Sequence, residues 1–582
     1  MKSLLRMIRF VKPYKSPAIL SMLLLLGVVV SDLLIPRLTQ RVIDQGIAQQ
    51  DVSIIVSTSL LMLGAAILSA LFAVGNTILS VRVAQGASAD LRSAIVRKVQ
   101  TFSFGNLDRI QTGQLLVRST SDVRAVQLMV QMSLRMFTRA PLWMLGSIVM
   151  LILTNKQLSL LMLALFPIVV GIILFFLGRA RPLFLSVQQK LDRLNQVMQE
   201  NLAGVRVVKA FVRSEHENAR FERTNRALTV DNVRVMQFIA TLIPTMRALV
   251  NLGVVGVIWF GGRQVIVGDL TVGGIVASIN YIAFALFPMM MLGGMAGPLS
   301  AADASAARIW EILDGDPEVQ TRPDAQALPD IKGRVAFEDV CFSYNHSCDE
   351  PVLNGINLAA EPGQTVAILG ATGSGKSSLV HLIPRFYDVE AGRVTLDGVD
   401  VRDLTLANLR AQIGVALQEA VLFSGAIRDN IRYGRPEATE EEVIAAAKAA
   451  QAHDFITAFP DGYDTVLGQR GVNLSGGQKQ RISIARALLV QPTVLILDDS
   501  TSAVDVETEA KIQAALEELM AERTSFVIAQ RISTVLNADK IVVLDGGRVA
   551  AEGTHAELME SSPIYHEIYE SQLGNNQEKI VQ

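Results

Sequence analysis

A glycine-rich stretch, GATGSGKSS at residues 370–378, has the residue types and the spacing that bind the phosphates of a nucleotide. A strand-like run, TVAIL, precedes it and a helix-like run, SLVHLIPRF, follows, which is the setting that the pattern G-x-x-x-x-G-K-S requires. Glycines at these positions let backbone N–H groups approach phosphate oxygens at the start of a helix. The predicted phosphate-binding residues are Gly370, Ala371, Thr372, Gly373, Ser374, Gly375, Lys376, Ser377 and Ser378.

Two side chains of this loop, and one carboxylate further along the chain, predict ATP and Mg²⁺ as the ligands. Lys376 is expected to reach the β and γ phosphates, and Ser377 to offer its hydroxyl group to Mg²⁺. The apolar run VLILD ends in Asp498, which is where a strand in such a site places a magnesium-binding carboxylate.

A third motif, LSGGQ within LSGGQKQRISIARAL, distinguishes among the protein families that share the first two. With it, the sequence clearly resembles an ABC transporter over essentially the whole chain. The resemblance implies that Tyr344 stacks on adenine, that Gln418 touches Mg²⁺ and faces the membrane domain, and that Asp505 ends the D-loop. It also implies a dimer, in which the signature of each chain completes the ATP site of the other. The signature residues are Leu474, Ser475, Gly476, Gly477 and Gln478.

Two residues depart from the family pattern at the catalytic positions. Asp499 occupies the general-base position, where the family has Glu, and its shorter side chain leaves its oxygens roughly 1–1.5 Å short of the required place. Gln530 occupies the position of the family's switch histidine, and it cannot carry the positive charge that is available to histidine. Because the ATP-binding residues are otherwise intact, we predict a slow, degenerate site in a heterodimer. The second, homologous half-transporter would carry Glu and His at these positions.

The elements that position these residues begin with a membrane domain. Half of all residues are hydrophobic, the mean hydropathy is +0.36, and nearly all of the excess lies before residue 300. Six apolar stretches of about 20 residues have the length that crosses a bilayer. The third is the weakest, because Arg135 and Arg139 precede its charge-free part. The predicted spans are roughly 17–36, 54–80, 134–154, 157–178, 237–261 and 271–298.

The distribution of positive charge predicts the orientation of these spans. The first 15 residues and two long connections, 81–135 and 179–236, contain 24 Lys and Arg residues, whereas the connections on the other side contain four. By the positive-inside rule, both termini, both long connections and the ATPase are cytoplasmic, in a membrane expected to be the bacterial inner membrane. The stretches 104–123 and 200–222 resemble the loops through which such exporters couple to the ATPase. The net charge of −2 gives no case for a nucleic-acid partner.

The predicted fold is an all-α six-helix transmembrane domain followed by an α/β P-loop nucleotide-binding domain of the ABC type. Between them the apolar runs give way to Pro, Asp and Gly, and short β-rich runs then alternate with helical patterns. Residues 1–16 are predicted as an amphipathic helix on the membrane surface, with a solvated basic tail as the alternative. The other predicted boundaries are a transmembrane domain at 17–305, a linker at 306–334, a nucleotide-binding domain at 335–570 and a tail at 571–582.

Four residues within predicted spans are candidates for the substrate cavity. Asp32 and Arg247 are ionisable, and such residues usually face a bundle interior or an aqueous cavity because they are costly in lipid. Both substrate contact and interhelical pairing or gating stay open for them. Met289 and Met290 have flexible side chains that suit a wall for varied apolar ligands, with plain packing as the alternative.

These features predict an ATP-driven exporter of hydrophobic or amphipathic compounds, of the multidrug type. Its partners would be the second half-transporter, membrane lipids and the hydrophobic substrate. Two alternatives stay open, which are a lipid or peptide exporter of the same fold and an ATP-binding membrane regulator with little transport. A soluble ABC ATPase is disfavoured by the six spans and by the charge bias between the two sides.

Overall fold

The computed structural model describes residues 2–293, 296–347, 349–499, 512, 514, 523–529, 532 and 535–573. The chain forms two compact units. One comprises Met1–Gln100 with Thr112–Gly315 and the other Thr101–Gln111 with Asp316–Gln582. The described part of the first unit is helical and that of the second contains both helices and sheets, which confirms the predicted fold class.

The first unit contains the membrane-spanning helices. Five of its described helical segments are long and apolar enough to cross a membrane, and the shorter apolar helix Val272–Pro288 takes the place of the sixth predicted span. The protein is therefore an integral membrane protein. The helices of this unit are Lys2–Arg6, Ile8–Val11, Lys15–Arg41, Val52–Val99, Thr112–Val117, Val123–Met132, Thr138–Thr154, Lys156–Ala203, Val205–Ala210, Ser214–Ala240, Leu242–Val267, Val272–Gly293 and Ala296–Leu313.

Two of these helices are much longer than a membrane span. Val52–Val99 and Lys156–Ala203 each contain 48 residues. At 1.5 Å per residue each is about 72 Å long, more than twice the hydrocarbon thickness of about 30 Å. Each begins where a polar side chain caps it. Asp51 accepts hydrogen bonds from the N–H groups of Ser53 and Ile54, and Asn155 caps the second helix in the same way. The predicted long connections are therefore largely continuations of the spans.

The last helix of the first unit extends further than the sequence indicated. It continues to Leu313, into the stretch 306–334 that was predicted as linker. The reason is that Ala306, Ile309 and Ile312 are fully buried along one side of the helix, so the helix is held by packing rather than by its weak apolar pattern. The change between the two units comes after Gly315.

The second unit contains twelve described strands and nine described helices. The strands are β1 Val335–Phe342, β2 Leu353–Ala360, β3 Thr365–Gly370, β4 Ala391–Leu396, β5 Val399–Asp400, β6 Ile413–Ala416, β7 Gly425–Ala426, β8 Val466–Leu467, β9 Val494–Asp498, β10 Thr524–Ile528, β11 Lys540–Asp545 and β12 Arg548–Gly553. They form two main sheets, a six-stranded one with the order β12-β11-β3-β10-β9-β6 and an antiparallel one with the order β2-β1-β4-β5. The helices are Phe104–Arg109, Lys376–Leu382, Leu406–Ala411, Ile427–Ile431, Glu440–Ala449, His453–Thr457, Gly476–Leu489, His555–Ser561 and Pro563–Leu573.

The parallel centre of the six-stranded sheet positions the site. Strand β10 pairs in parallel with β3 on one side and with β9 on the other. Strands β9 and β10 are buried along their whole length, which explains their continuous apolar sequences. Because the carboxyl ends of parallel strands meet at one edge, the loop after β3 and the residues at the end of β9 lie on the same side of the sheet.

Candidate nucleotide-binding site

The loop after β3 has the backbone of a phosphate-binding loop. Gly370, Gly373 and Gly375 adopt φ values of +149°, +85° and +98°, which other residues rarely adopt. The Lys376 ammonium group donates hydrogen bonds to the carbonyl oxygens of Gly370 at 2.8 Å and Ala371 at 2.9 Å. Burial lowers the pKa of Lys376, and the nearby carboxylates of Asp499 and Asp498 act in the opposite direction. The loop therefore holds its lysine close to its own backbone.

Gly370 is the position of this loop that is most sensitive to substitution. A Cβ atom there would lie 2.2 Å from the carbonyl oxygen of Leu544, a backbone atom that cannot move aside. We expect Gly370→Ala to lower the free energy of unfolding by about 2–4 kcal/mol, since it combines backbone strain with overpacking. Thermal unfolding of the purified chain measures the loss. Gly373→Ala is the matched control, because it shares the positive φ but has no atom within 4 Å of the added Cβ. Equal losses in the two variants would contradict this reading.

The predicted magnesium ligands Ser377 and Asp498 are brought together. The Ser377 hydroxyl group donates a hydrogen bond of 3.0 Å to Oδ1 of Asp498, whose side chain is buried at the end of β9. Nε2 of His381 lies 3.5 Å from Oδ2 of the same carboxylate. His381 was not predicted from the sequence. Its spacing of four residues from Ser377 puts both on one face of the helix Lys376–Leu382, and this was the available signal.

Asp499, the departure at the general-base position, is fixed by its neighbours. It is buried, with an exposed fraction of 6%, and its φ of +47° is unusual for any residue but Gly, Asn or Asp. Gln418 donates a hydrogen bond of 3.2 Å from Nε2 to Oδ2 of Asp499. The Asp499 N–H group donates to the carbonyl oxygen of Ile528. Asp499, at the predicted general-base position, and Gln418 therefore contact each other.

Tyr344, the predicted adenine-stacking residue, presents an accessible ring. Its exposed fraction is 47%, and its hydroxyl group lies 2.9 Å from Oγ of Ser378. The ring meets Tyr387 edge-on, with ring centroids 5.3 Å apart. Both tyrosines line a cavity of about 510 Å³ in the second unit. This arrangement leaves room for a flat base beside Tyr344.

The first part of the first predicted coupling stretch lies within the second unit and packs there against residues that follow the P-loop helix. Phe104 stacks on Phe386 with ring centroids 4.1 Å apart, and the Tyr387 hydroxyl group donates a 2.6 Å hydrogen bond to Oδ2 of Asp108. Burial and the neighbouring Asp108 carboxylate raise the pKa of Tyr387. Phe386 and Tyr387 were not predicted from the sequence. They follow the P-loop helix, and the ring of Tyr387 contacts that of Tyr344.

The LSGGQ signature begins a helix of 14 residues, Gly476–Leu489. Ser475 caps this helix, because its hydroxyl oxygen accepts a hydrogen bond from the Gln478 N–H group. The Ser475 N–H group donates in turn to Oε1 of Gln478, so the two residues form a capping box. Leu474 is buried, whereas Ser475 and Gly476 are exposed. Among the described hydrogen bonds, none joins the signature to residues 370–378. The signature therefore has an ordered local structure, and no described hydrogen bond links it to the P-loop of its own chain.

The other predicted site residues are outside the described part of the chain, are paired with neighbouring helices, or are exposed. Asp505 and Gln530 lie outside the described residues, and so do the side chains of Met289 and Met290. Asp32 accepts hydrogen bonds from Ser69 at 2.8 Å and from Arg139 at 3.2 Å, so it pairs with neighbouring helices. Arg247 is exposed and has no hydrogen-bond or ion-pair partner within the described part of the chain.

Membrane-spanning helices in one unit and a nucleotide-binding sheet in the other define the class of protein, an ATP-driven membrane transporter. Comparison with known families gives the same class. The profile described as "ABC transporter transmembrane region" matches residues 18–289, and the profile described as "ABC transporter" matches residues 353–502. This chain belongs to the ABC transporter family, as an exporter-type half-transporter whose ATPase couples ATP hydrolysis to transport.

Individual relatives and one solved structure resemble this chain along most of its length. The ATP-dependent lipid A-core flippase of Syntrophus aciditrophicus is 38% identical over 84% of this chain and 81% of its own. YgaD of Bacillus subtilis, named as a candidate multidrug export ATP-binding/permease protein, is 37% identical over 98% of this chain and 99% of its own. The structure of a bacterial Atm1-family ABC exporter with ATP bound matches with a TM-score of 0.80 and 29% identity, covering 97% of this chain and 98% of that one.

Proposed function

We propose that this chain is the degenerate-site subunit of a heterodimeric exporter of hydrophobic or amphipathic compounds. In this proposal its own phosphate-binding loop, residues 370–378, and Asp498 hold ATP, and this site turns ATP over slowly. Its LSGGQ signature completes the competent site of a second, homologous half-transporter. The observation that carries the proposal is Asp499, a short carboxylate at the general-base position.

The surroundings of Asp499 support slow turnover. A general base must lie within hydrogen-bond reach of the proton that it removes, and a misplacement of about 1 Å can cost about 100-fold in rate. Asp499 is one methylene shorter than the family's Glu, and its carboxylate already accepts a hydrogen bond from Gln418. The replacement of the family's switch histidine by Gln530 removes a second catalytic group from the same site.

The residues around Asp498 fit Mg²⁺. Magnesium prefers oxygen ligands, and a hydroxyl, a carboxylate and a side-chain amide oxygen are available from Ser377, Asp498 and Gln418. Within the loop itself, the buried hydroxyl group of Ser374 has no hydrogen-bond partner in the described structure. When bound, Mg²⁺ would neutralise phosphate charge, while Lys376 holds the β and γ phosphates and Tyr344 the adenine. Retention of ATP therefore needs none of the altered catalytic groups.

An exposed apolar tip on the first unit supports assembly with a second subunit. Phe211 and Val212, at the end of the helix Val205–Ala210, have exposed fractions of 73% and 86%, and Leu202 before them is 71% exposed. Large apolar side chains grouped at the tip of a long helical extension mark an interaction surface. They belong to the second stretch that resembles a coupling loop, residues 200–222, and a partner subunit would cover them.

The proposed setting is a bacterial inner membrane with both termini and the ATPase in the cytoplasm, as the charge bias of the connections predicts. Membrane lipids surround the spans and the substrate enters from them or from the cytoplasm. Two relatives support different substrates, since one is named a lipid A-core flippase and one a candidate multidrug exporter. A lipid exporter of the same fold is therefore the second candidate function.

Transport into inside-out vesicles tests the export function. Vesicles that contain this chain together with a homologous half-transporter carrying Glu and His should accumulate a hydrophobic fluorescent dye when ATP is supplied. A non-hydrolysable ATP analogue is the matched control and should give no accumulation, because hydrolysis resets the transporter. ATP binding without accumulation of any dye or lipid probe would favour a membrane regulator and contradict export.

A further inference from the structure

We propose that a cavity between the membrane helices binds amphipathic compounds whose head group is an anion, such as a phosphate or a carboxylate. The inference deepens the export function proposed above and rests on it, because it names the chemical class of the compound that this half of the transporter receives. We call this site the arginine cavity. It is lined by parts of Lys15–Arg41, Val52–Val99, the helical segment 123–154 and Val272–Gly293.

The arginine cavity has the size and wall of a small-molecule site. Its volume is about 560 Å³, which lies within the range of about 300–1,000 Å³ typical of ligand pockets. Much of the wall is apolar, and includes Leu25, Val28, Leu128, Met132, Met136 and Phe287. Such a wall suits a hydrocarbon chain, and the flexible methionines suit chains of varied shape.

Two arginines give the cavity its charge. Arg135 and Arg139 both line it, and the described lining residues include no Asp or Glu. Arg135 is half-buried and has no hydrogen-bond or ion-pair partner among the residues that the structure describes. A cation that lies beside an apolar wall without a partner is energetically costly, so an anion that enters the cavity is stabilised by pairing with Arg135.

Arg139 is oriented by its neighbours but retains unused donors. Its guanidinium group donates to Oδ2 of Asp32 at 3.2 Å, and its Cζ atom lies 4.0 Å from the ring centroid of Trp143. Nε of Arg139 and Nε1 of Trp143 are both buried without a hydrogen-bond partner in the described structure. Arginine has five N–H donors in a fixed plane, which suits bidentate binding of phosphate or carboxylate.

The charges combine to favour an anionic head group. Asp32 neutralises one arginine, so the group formed by Asp32, Arg135 and Arg139 keeps one net positive charge. A cationic amphiphile of the same chain length would meet repulsion where an anionic one meets attraction, in surroundings of low polarity that strengthen both effects. Asp32 thus acts as an internal counter-ion that orients Arg139, rather than as a ligand for a cation.

Binding of two matched amphiphiles to the assembled transporter tests the proposal. The transporter is placed in nanodiscs of phosphatidylcholine and titrated with dodecyl phosphate or with dodecyltrimethylammonium, and tryptophan fluorescence reports binding near Trp143. We expect dodecyl phosphate to bind at least about tenfold more tightly than dodecyltrimethylammonium, because only the phosphate can form a charge-assisted hydrogen bond with an arginine. Equal affinities, or a preference for the ammonium compound, would overturn the proposal.

Three variants separate charge recognition from a structural effect. Arg135→Gln breaks no described bond and should weaken binding of dodecyl phosphate by about tenfold. The same variant should tighten binding of the ammonium compound, because it removes a charge that repels it. Asp32→Asn should tighten binding of dodecyl phosphate, because it releases Arg139, whereas a purely structural role of Asp32 predicts weaker binding. Arg37→Gln is the control, because Arg37 is exposed and lies on the same helix as Asp32, Lys15–Arg41. It should change the affinity for neither dodecyl phosphate nor dodecyltrimethylammonium. An unchanged dodecyl phosphate affinity in Arg135→Gln would contradict the site.

The source of the anion and the export function are separated by two further measurements. Displacement of dodecyl phosphate by phosphatidylglycerol in the nanodisc identifies a bilayer lipid as the ligand, whereas lack of displacement identifies a single-chain compound, and both results support an anion site. Binding is measured without ATP, so it does not depend on transport. If the heterodimer binds the anionic amphiphile selectively but accumulates no probe in vesicles, the export proposal is wrong and the arginine cavity stands. If Arg135→Gln leaves dye export unchanged and binding shows no preference for the anion, the arginine cavity proposal is wrong and the export function stands.

Discussion

Gly477→Asp in this chain should reduce ATP turnover by the assembled heterodimer by more than about 100-fold, because the proposed role of LSGGQ is to bind the phosphates at the partner's competent site. The substitution puts a carboxylate in the first turn of the helix Gly476–Leu489, whose N-terminal N–H groups and dipole favour anions. A negative charge there repels the phosphates that the helix should attract. The ATPase rate of the purified pair measures the effect.

A matched control and a binding measurement make this result specific. Gly462→Asp introduces the same charge at a glycine of the same unit where an added Cβ meets no atom within 4 Å. The φ of Gly462 is +51°, a left-handed conformation that Asp tolerates better than most residues, so this variant should leave the rate unchanged. Binding of a fluorescent ATP analogue to this chain should persist in Gly477→Asp, since Tyr344, Lys376 and Asp498 are untouched. Normal turnover in Gly477→Asp would mean that the signature does not serve a catalytic site.

Restoring the two family residues should activate this chain's own site. We expect Asp499→Glu combined with Gln530→His to raise the ATPase rate of this chain by about 100-fold when it is purified as a homodimer, in which its own LSGGQ completes each site. The longer carboxylate reaches the position of the general base, and histidine can carry the positive charge that glutamine cannot. Steady-state phosphate release measures the gain. Adding Lys376→Ala to the double variant should remove the gain, which assigns it to this site.

Removing the Asp499 carboxylate in the assembled heterodimer is the reverse experiment. Asp499→Asn should change the rate of the heterodimer by less than about threefold, since a base already out of reach contributes little. A loss from Asp499→Asn comparable to that of Gly477→Asp would show that Asp499 is an efficient base, and the degenerate-site proposal would then be wrong.

The sequence was sufficient to predict the family, the fold class and the proximity of Ser377 to Asp498. The P-loop follows one strand of a parallel sheet and VLILD is another, and the carboxyl ends of such strands lie at one edge, which brings the loop and the carboxylate together. The LSGGQ motif then distinguished the family among those with the same two motifs. These inferences depend on short sequence patterns that always adopt the same local structure.

Other features depend on packing between distant parts of the chain. The hydrogen bond between Tyr387 and Asp108 joins residues 279 positions apart, and nothing in either local sequence indicates it. The pairing of Asp32 with Arg139 likewise joins two helices, although both residues were noted as charges within or before predicted spans. The helix that ends at Leu313 extends into the predicted linker because burial, not periodicity alone, holds its last turns.

The ATPase rate of this chain alone, compared with that of the assembled pair, tests the central claim most directly. The proposal is that this chain's own site retains ATP more than it consumes it, and that the competent site needs a second subunit with Glu and His. The purified chain alone should therefore hydrolyse ATP at no more than about one-fiftieth of the rate of the pair, consistent with a misplaced base. A rate for the chain alone that equals that of the pair would contradict the claim.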